Sequence, residues 1–339
     1  MITPVSAPPR RSVGYSCGPV RLVLSCEDRS LLKSLEGLVT QYDAPWPGPI
    51  PEFFVTIERG AQPAGIREPA GVYLRSYRLR VDRSDGHLLS LSGVGVWMDF
   101  DEASRSATIR VPESFDWRTV IEEVEQQLVL LLARAWSSVG WTPLHGGSLI
   151  PPDGHGCILV CAHSGVGKTT FVTSLLRRGW RTLGDDKTLL QTNGGVVTAR
   201  SLSRRMHLHP SLANWFPELG IIGNLPRYSR WTEKRVAGLG DIWPGQLLDA
   251  ARPMVLIQLE RGMVGCALKV RPLDVTEILD TLLRQIAIPA DAAHARPLLA
   301  CAAALSRQLR GAAVAIGENA FADSTFSARI ENALQELLP

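Results

Sequence analysis

The sequence predicts an α/β protein in two parts, a mostly antiparallel β domain followed by a P-loop domain. Three observations carry this reading. Residues 162–169 spell A-x-x-x-x-G-K-T, a phosphate-binding loop with Ala162 where the usual pattern has its first Gly. The apolar run 157–161 supplies a buried strand before that loop, and residues 171–178 supply a helix after it. The first 115 residues instead alternate apolar and polar positions, as half-buried strands do.

The loop's chemistry explains its residues. Gly165 and Gly167 let the backbone turn with its N–H groups inward, at the start of a helix whose dipole adds partial positive charge. Ser164, Gly165, Val166, Gly167, Lys168, Thr169 and Thr170 are therefore the expected ATP contacts. Lys168 reaches the β- and γ-phosphates, and the Thr169 hydroxyl ligates Mg²⁺.

Composition bounds the rest. The chain has 339 residues, 45% hydrophobic and 20% charged, a soluble globular balance with room for two domains. Its formal net charge is +3. Residues 1–144 carry 15 Lys/Arg against 17 Asp/Glu, and residues 145–339 carry 21 against 16, so the second half is mildly basic. No dense basic run points to nucleic acid or an anionic membrane. Six cysteines, Cys17, Cys26, Cys157, Cys161, Cys266 and Cys301, lack C-x-x-C spacing, which argues against a zinc site and a disulfide framework and for a reducing cytoplasm. Residues 1–12 are Pro-rich with no long apolar segment, neither signal peptide nor membrane anchor, and residues 1–14 are expected to be poorly ordered.

In chain order, residues 20–25 read as a strand, and Leu31, Leu32, Leu35 and Leu38 as a helix face; Pro-rich residues 45–51 then break the chain. Strands are expected at 53–57, 77–82, 88–91, 94–100 and 107–111, with Ser84-Asp85-Gly86 as a hairpin turn. A long helix follows, with Asp116 as N-cap, Phe115 and Val120 as a hydrophobic staple, an apolar stripe from Ile121 to Ala135 and Gly140 at its end. It is expected to pack between the halves, which divide into residues 15–142 and 143–339. Two strands, 147–150 and 157–161, precede the loop. Beyond its helix lie an acidic pair, Asp185-Asp186, at a strand end, and a hairpin of 187–191 and 196–199 around Asn193-Gly194. Residues 201–250 are loop-rich, 254–259 a buried strand, and the chain from 274 onward largely helical.

Phosphoryl transfer needs a phosphate cradle, a metal, a group to position or deprotonate the acceptor, and positive charge. The acidic pair offers one carboxylate to Mg²⁺, directly or through water, and one to the acceptor proton. Asp186 is placed with Thr169 on the metal, and which of Asp185 and Asp186 is the base stays open. His163 takes no role. His207 and His209 alternate on a possible strand without partners at ligand spacing and read as a solvated face.

These residues carry a family resemblance. His145-Gly146, then H-S-G-V-G-K-T, then R-R-G-W-R-T-L-G-D-D resembles the catalytic core of HPr kinase/phosphorylase and its relatives, which share a nucleotide-binding fold with phosphoenolpyruvate carboxykinases. The similarity covers about residues 143–210. Ser203 to Leu208, Phe216-Pro217-Glu218-Leu219 and Lys234-Arg235 ahead of Pro244 are similar to HPr-kinase-like proteins of ribosomally made peptide pathways, including lasso peptide kinases, which phosphorylate a Ser hydroxyl of a precursor peptide. The resemblance implies an ATP- and Mg²⁺-dependent kinase, with His145 assisting the base beside the acidic pair. It also implies that Lys234, Arg235 and Arg204 clamp phosphate or substrate anion. Some relatives form hexamers. The M-E-I-R-G-L-G signature of the true HPr enzymes is absent, which implies forward transfer without phosphorolysis. Two other readings stand beside this one, a kinase for a free small molecule and a non-catalytic accessory protein that holds a peptide or a nucleotide.

Overall fold

A computed structural model describes residues 11–61, 73–74, 79–84, 86–154, 156–228, 232–262, 268–289, 292–317, 320–323 and 325–338. The chain divides into two compact units, Met1–Val139 and Gly140–Pro339.

The first unit is an eight-stranded sheet with two helices. Its elements are β1 (Arg11–Cys17), β2 (Val20–Cys26), α1 (Arg29–Val39), β3 (Glu52–Arg59), β4 (Tyr73–Leu74), β5 (Leu79–Ser84), β6 (His87–Ser92), β7 (Trp97–Asp101), β8 (Ser106–Val111) and α2 (Ile121–Ser138). The spatial order is β1-β2-β3-β8-β7-β6-β5-β4. The sheet is mostly antiparallel, as expected, with parallel pairing of β2 with β3 and of β3 with β8. α1 crosses over so that β3 lies parallel to β2, and the hairpins from β4 to β8 return the chain so that β8 lies parallel to β3.

Of the segment expected to be poorly ordered, residues 11–14 belong to β1, which pairs with β2 from Arg11↔Cys26 to Cys17↔Val20; residues 1–10 lie outside the described residues. Asp28 caps α1 by accepting from the backbone N–H groups of Ser30 and Leu31 at 2.7 and 2.9 Å. α2 begins five residues after Asp116, because Asp116 caps a separate turn by accepting from the Arg118 N–H at 3.0 Å. α2 belongs to the first unit. There Gln127 donates to the Val96 carbonyl at 3.1 Å and the Trp136 indole to the Cys17 carbonyl at 2.9 Å.

The second unit stacks two sheets. Its elements are β9 (Thr142–His145), β10 (Gly147–Leu149), β11 (Cys157–Ala162), α3 (Lys168–Leu176), β12 (Lys187–Asn193), β13 (Val196–Ser201), β14 (Arg205–Leu208), β15 (Arg235–Gly238), α4 (Leu239–Ile242), β16 (Ala250–Ala251), β17 (Pro253–Arg261), β18 (Leu268–Leu273), α5 (Val275–Gln285), α6 (Ala292–Gln308), β19 (Arg310–Ile316) and α7 (Phe326–Gln335). The central sheet runs β10-β11-β17-β19-β18, with β11, β17 and β19 parallel; the second runs β16-β13-β12-β9, and β14 pairs with β15.

Alternation along β11 explains the layering. Ile158, Val160 and Ala162 face a core with Phe171, Val172 and Leu175 of α3, while Cys157, Leu159 and Cys161 face one with Leu190, Val197 and helices α5 and α6. Both faces are covered, so the strand is apolar throughout, as expected of a buried parallel strand. From Asp274 onward the chain is largely helical, as expected, with α5, α6 and α7 and one strand among them. Arg310 to Ile316 form β19, because a place between β17 and β18 supplies ladder partners that outweigh the helix propensity of alanine. Ahead of the acidic pair, Arg181 and Thr182 make the isolated bridges Ile150↔Arg181 and Thr182↔Leu247. Among the described residues no helix is long and apolar enough to cross a membrane.

Candidate functional site

The C-terminal ends of β11, β17 and β19 meet at one cleft. Ala162, Arg261 and Ile316 all line it, together with the whole of the loop from His163 to Thr170. Ligands of open α/β sheets bind outside the carboxyl ends of the strands. The cleft holds about 640 Å³, within the range of small-molecule sites.

Gly165 and Gly167 adopt φ of +80° and +108°, conformations that favour glycine, and no atom lies within 4 Å of where a Cβ would stand at either. Gly167 caps α3 with no side-chain hydrogen bond, which leaves the first-turn N–H groups at the cleft. This arrangement fits a phosphate group.

Opposite the loop, the acidic pair is held by β10. Ser148 Oγ accepts from the Leu183 N–H at 2.7 Å, the Ser148 N–H donates to the Gly184 carbonyl at 2.9 Å, and Thr182 Oγ1 donates to the Ser148 carbonyl at 2.7 Å. A Cβ at Gly147 would stand 2.9 Å from the Asp185 carbonyl oxygen, so only glycine lets β10 run this close.

The two carboxylates then part. Asp185 is 3% exposed and its Oδ2 accepts from Thr169 Oγ1 at 3.1 Å. Asp186 lines the cleft, where its Oδ1 accepts from Lys168 Nζ at 3.2 Å and lies 3.6 Å from His145 Nδ1, while its Oδ2 lies 3.5 Å from Lys187 Nζ. Lys168 Nζ also stands 3.2 Å from His145 Nε2.

Electrostatics separate them further. Burial, then the neighbouring Asp186 charge, pushes the Asp185 carboxyl up to about 6. Burial pushes Asp186 up too, but Lys187 and Lys168, with His145 and His207 beside them, outweigh it and hold this carboxyl well below the usual range. His145 keeps 46% of its side chain open to the cleft, yet its walls desolvate the ring and the charges of Lys168, Lys187 and Lys234 add to that; against the pull of Asp186 its pKa falls to about 4. The imidazole is therefore neutral at pH 7.

Sequence reasoning placed the loop, His145, the acidic pair and Lys234 as site residues, and the structure brings all of these together, with Asp185 beneath the cleft wall. Arg204 and Arg235 do not line the cleft. Arg235 donates to the Leu225 carbonyl at 3.2 Å, because the pairing of β14 with β15 turns it toward that loop. The reading of His207 as part of a solvated face is also corrected. His207 is 8% exposed, lines the cleft and stacks on Tyr228 with centroids 3.8 Å apart, and burial followed by Lys187 lowers its pKa to about 4. His209 is exposed and caps a short 3-10 helix, Pro210–Asn214, by accepting from the Ser211 N–H at 3.2 Å. His163 does line the cleft. Trp215, Phe321 and Arg261 are lining residues that no motif marked; only folding brings them to the loop.

Among the described residues no cluster of three or more His, Cys, Asp or Glu could hold a metal. The oxygen pair formed by Thr169 and Asp185 suits a hard divalent cation that takes its remaining ligands from phosphate and water.

No family model and no curated protein matches the chain. Among solved structures it is similar to the Hpr(Ser) kinase/phosphatase from Coxiella burnetii, at 9% identity and a TM-score of 0.32 over 57% of this chain and 94% of that one.

Proposed function

We propose that this chain is an ATP- and Mg²⁺-dependent kinase that transfers the γ-phosphoryl group to a hydroxyl, with a peptide serine as acceptor. One observation carries the reading: the loop lysine, Lys168, stands 3.2 Å from both His145 and Asp186, so the phosphate-handling charge and the proton-handling groups converge on one point. The loop's N–H groups and Lys168 bind and orient the triphosphate. Thr169 and Asp185 would hold Mg²⁺, which supplies neutralising charge on the β- and γ-phosphates. In this reading Asp185, rather than Asp186, is the metal-linked carboxylate, because it is the one that touches Thr169.

Asp186 faces the cleft and takes the acceptor proton, since reach comes before pKa in choosing a base. Its low basicity is set by Lys168 and Lys187. When Lys168 turns to phosphate, that restraint weakens and Asp186 becomes a better base. His145, neutral at pH 7, can accept from or donate to the same hydroxyl. Lys234 lines the cleft and adds charge for the transferring group.

The test is transfer from ATP to serine peptides by the full-length protein, with Lys168→Ala as control. The expected variant rate is lower by about 10²-fold or more, with a folded protein whose melting falls through loss of the Lys168–Asp186 pair. An equally active variant would remove the basis of this proposal.

A further inference from the structure

The cleft has two chemically distinct ends. At one, His145, Lys168, Asp186, His207 and Lys234 gather charge and imidazoles; at the other, Leu212, Trp215, Ile316 and Phe321 form an apolar wall beside the same loop. A triphosphate uses only the first. The second is preformed. The Trp215 N–H donates to the Leu212 carbonyl at 3.1 Å and the Ala320 N–H to the Gly317 carbonyl at 3.2 Å. The Phe321 ring stands edge-on to Phe216 and Phe326 at centroid distances of 6.2 and 5.2 Å. Trp215 and Phe321 lie 6.3 Å apart at 43°, each only partly buried, so ring surface stays open to the cleft.

We propose that Trp215 and Phe321, on a floor of Leu212 and Ile316, are a stacking shelf for the purine base of the nucleotide. The inference rests on the nucleotide-binding reading of the loop and adds what holds the other end of that ligand. Aromatic faces attract planar bases through dispersion and apolar burial, and a charged phosphate gains nothing there. Beside the shelf, Ser211 holds His209 at Nδ1, with its N–H at 3.2 Å and its Oγ at 2.7 Å, so the rings supply affinity for a base and Nε2 is the imidazole's remaining polar atom.

The experiment is calorimetric titration of the full-length protein with Mg²⁺ and either ATP or inorganic tripolyphosphate. Wild type is compared with Trp215→Leu, which keeps apolar packing but removes the ring, and with Trp215→Phe, which restores one. Trp215→Leu is expected to weaken ATP by roughly 5- to 100-fold while leaving tripolyphosphate unchanged, and Trp215→Phe to recover most of the loss. Unchanged ATP affinity in Trp215→Leu, or an equal loss for both ligands, overturns the shelf while the loop reading stands. A wild-type protein that binds neither ligand overturns the loop reading and the shelf with it.

Discussion

Asp185 and Asp186 are adjacent in sequence, yet the fold shifts their carboxyl pKa values in opposite directions. One lies beneath Thr169 with its carboxyl raised to about 6, and the other lies among lysines that keep it ionised. In the proposed mechanism each Asn variant should lose about 10²-fold or more in transfer rate. Raised Mg²⁺ should partly rescue Asp185→Asn but not Asp186→Asn, and steady-state rates against Mg²⁺ concentration would reveal equal rescue if the roles are misassigned. Asp185 also has a signature in stability. Between its unfolded value of 3.8 and about 6 the folded state binds more protons than the unfolded, so the Asp185 contribution falls as pH rises through that window. His145 and His207, lowered to about 4, contribute in the opposite sense, losing stability as pH falls from 6.5 toward 4. The test is therefore a difference. Urea titrations should show Asp185→Asn gaining on wild type from pH 4 to pH 6 and levelling above, and a flat difference would mean the carboxyl is not raised.

At the scale of elements, the cleft depends on how β11 and α3 pack. Phe171 of α3 is fully buried beside Val160 and Trp180, so Phe171→Ala leaves a cavity under the loop and should cost about 3 to 5 kcal/mol, read as a lowered denaturation midpoint. A loss below 1 kcal/mol would mean that the site collapses around the gap. α5 shows the smaller effect of capping. Asp274 accepts from the Glu277 N–H at 2.8 Å while Glu277 accepts from the Asp274 N–H at 3.0 Å, so Asp274→Ala should cost about 1 kcal/mol. That change lies outside the residues lining the cleft, and it should leave nucleotide affinity alone.

For the whole molecule, division of labour follows from where the cleft residues lie. Every residue lining it falls between His145 and Phe321, inside the second unit. A fragment of residues 140–339 should therefore bind ATP within a few-fold of the full chain, and titration of both would expose a first-unit contribution as a larger loss. In the sequence of the first unit, Arg75, Arg78 and Arg80 suit an acidic peptide; their side chains lie outside the described residues. If that unit does bind the acceptor, the fragment should keep nucleotide affinity and lose peptide affinity.

What the sequence determined by itself was local. The loop from Ala162 to Thr169, the buried strand before it and the Asn193-Gly194 hairpin follow from residue types at fixed short spacing, where turn chemistry and periodicity act. The tertiary structure decided what depends on distant partners. It made the Ala-rich 311–316 a strand by supplying neighbours on both sides, and made α1 a crossover between parallel strands. It turned Arg235 away, buried His207 against Tyr228, and set Trp215 and Phe321, more than a hundred residues apart, beside the loop. Asp185 and Asp186 show the division most plainly. Their presence could be read from the chain, but their protonation could not, because it is set by burial and by charges that only folding brings near.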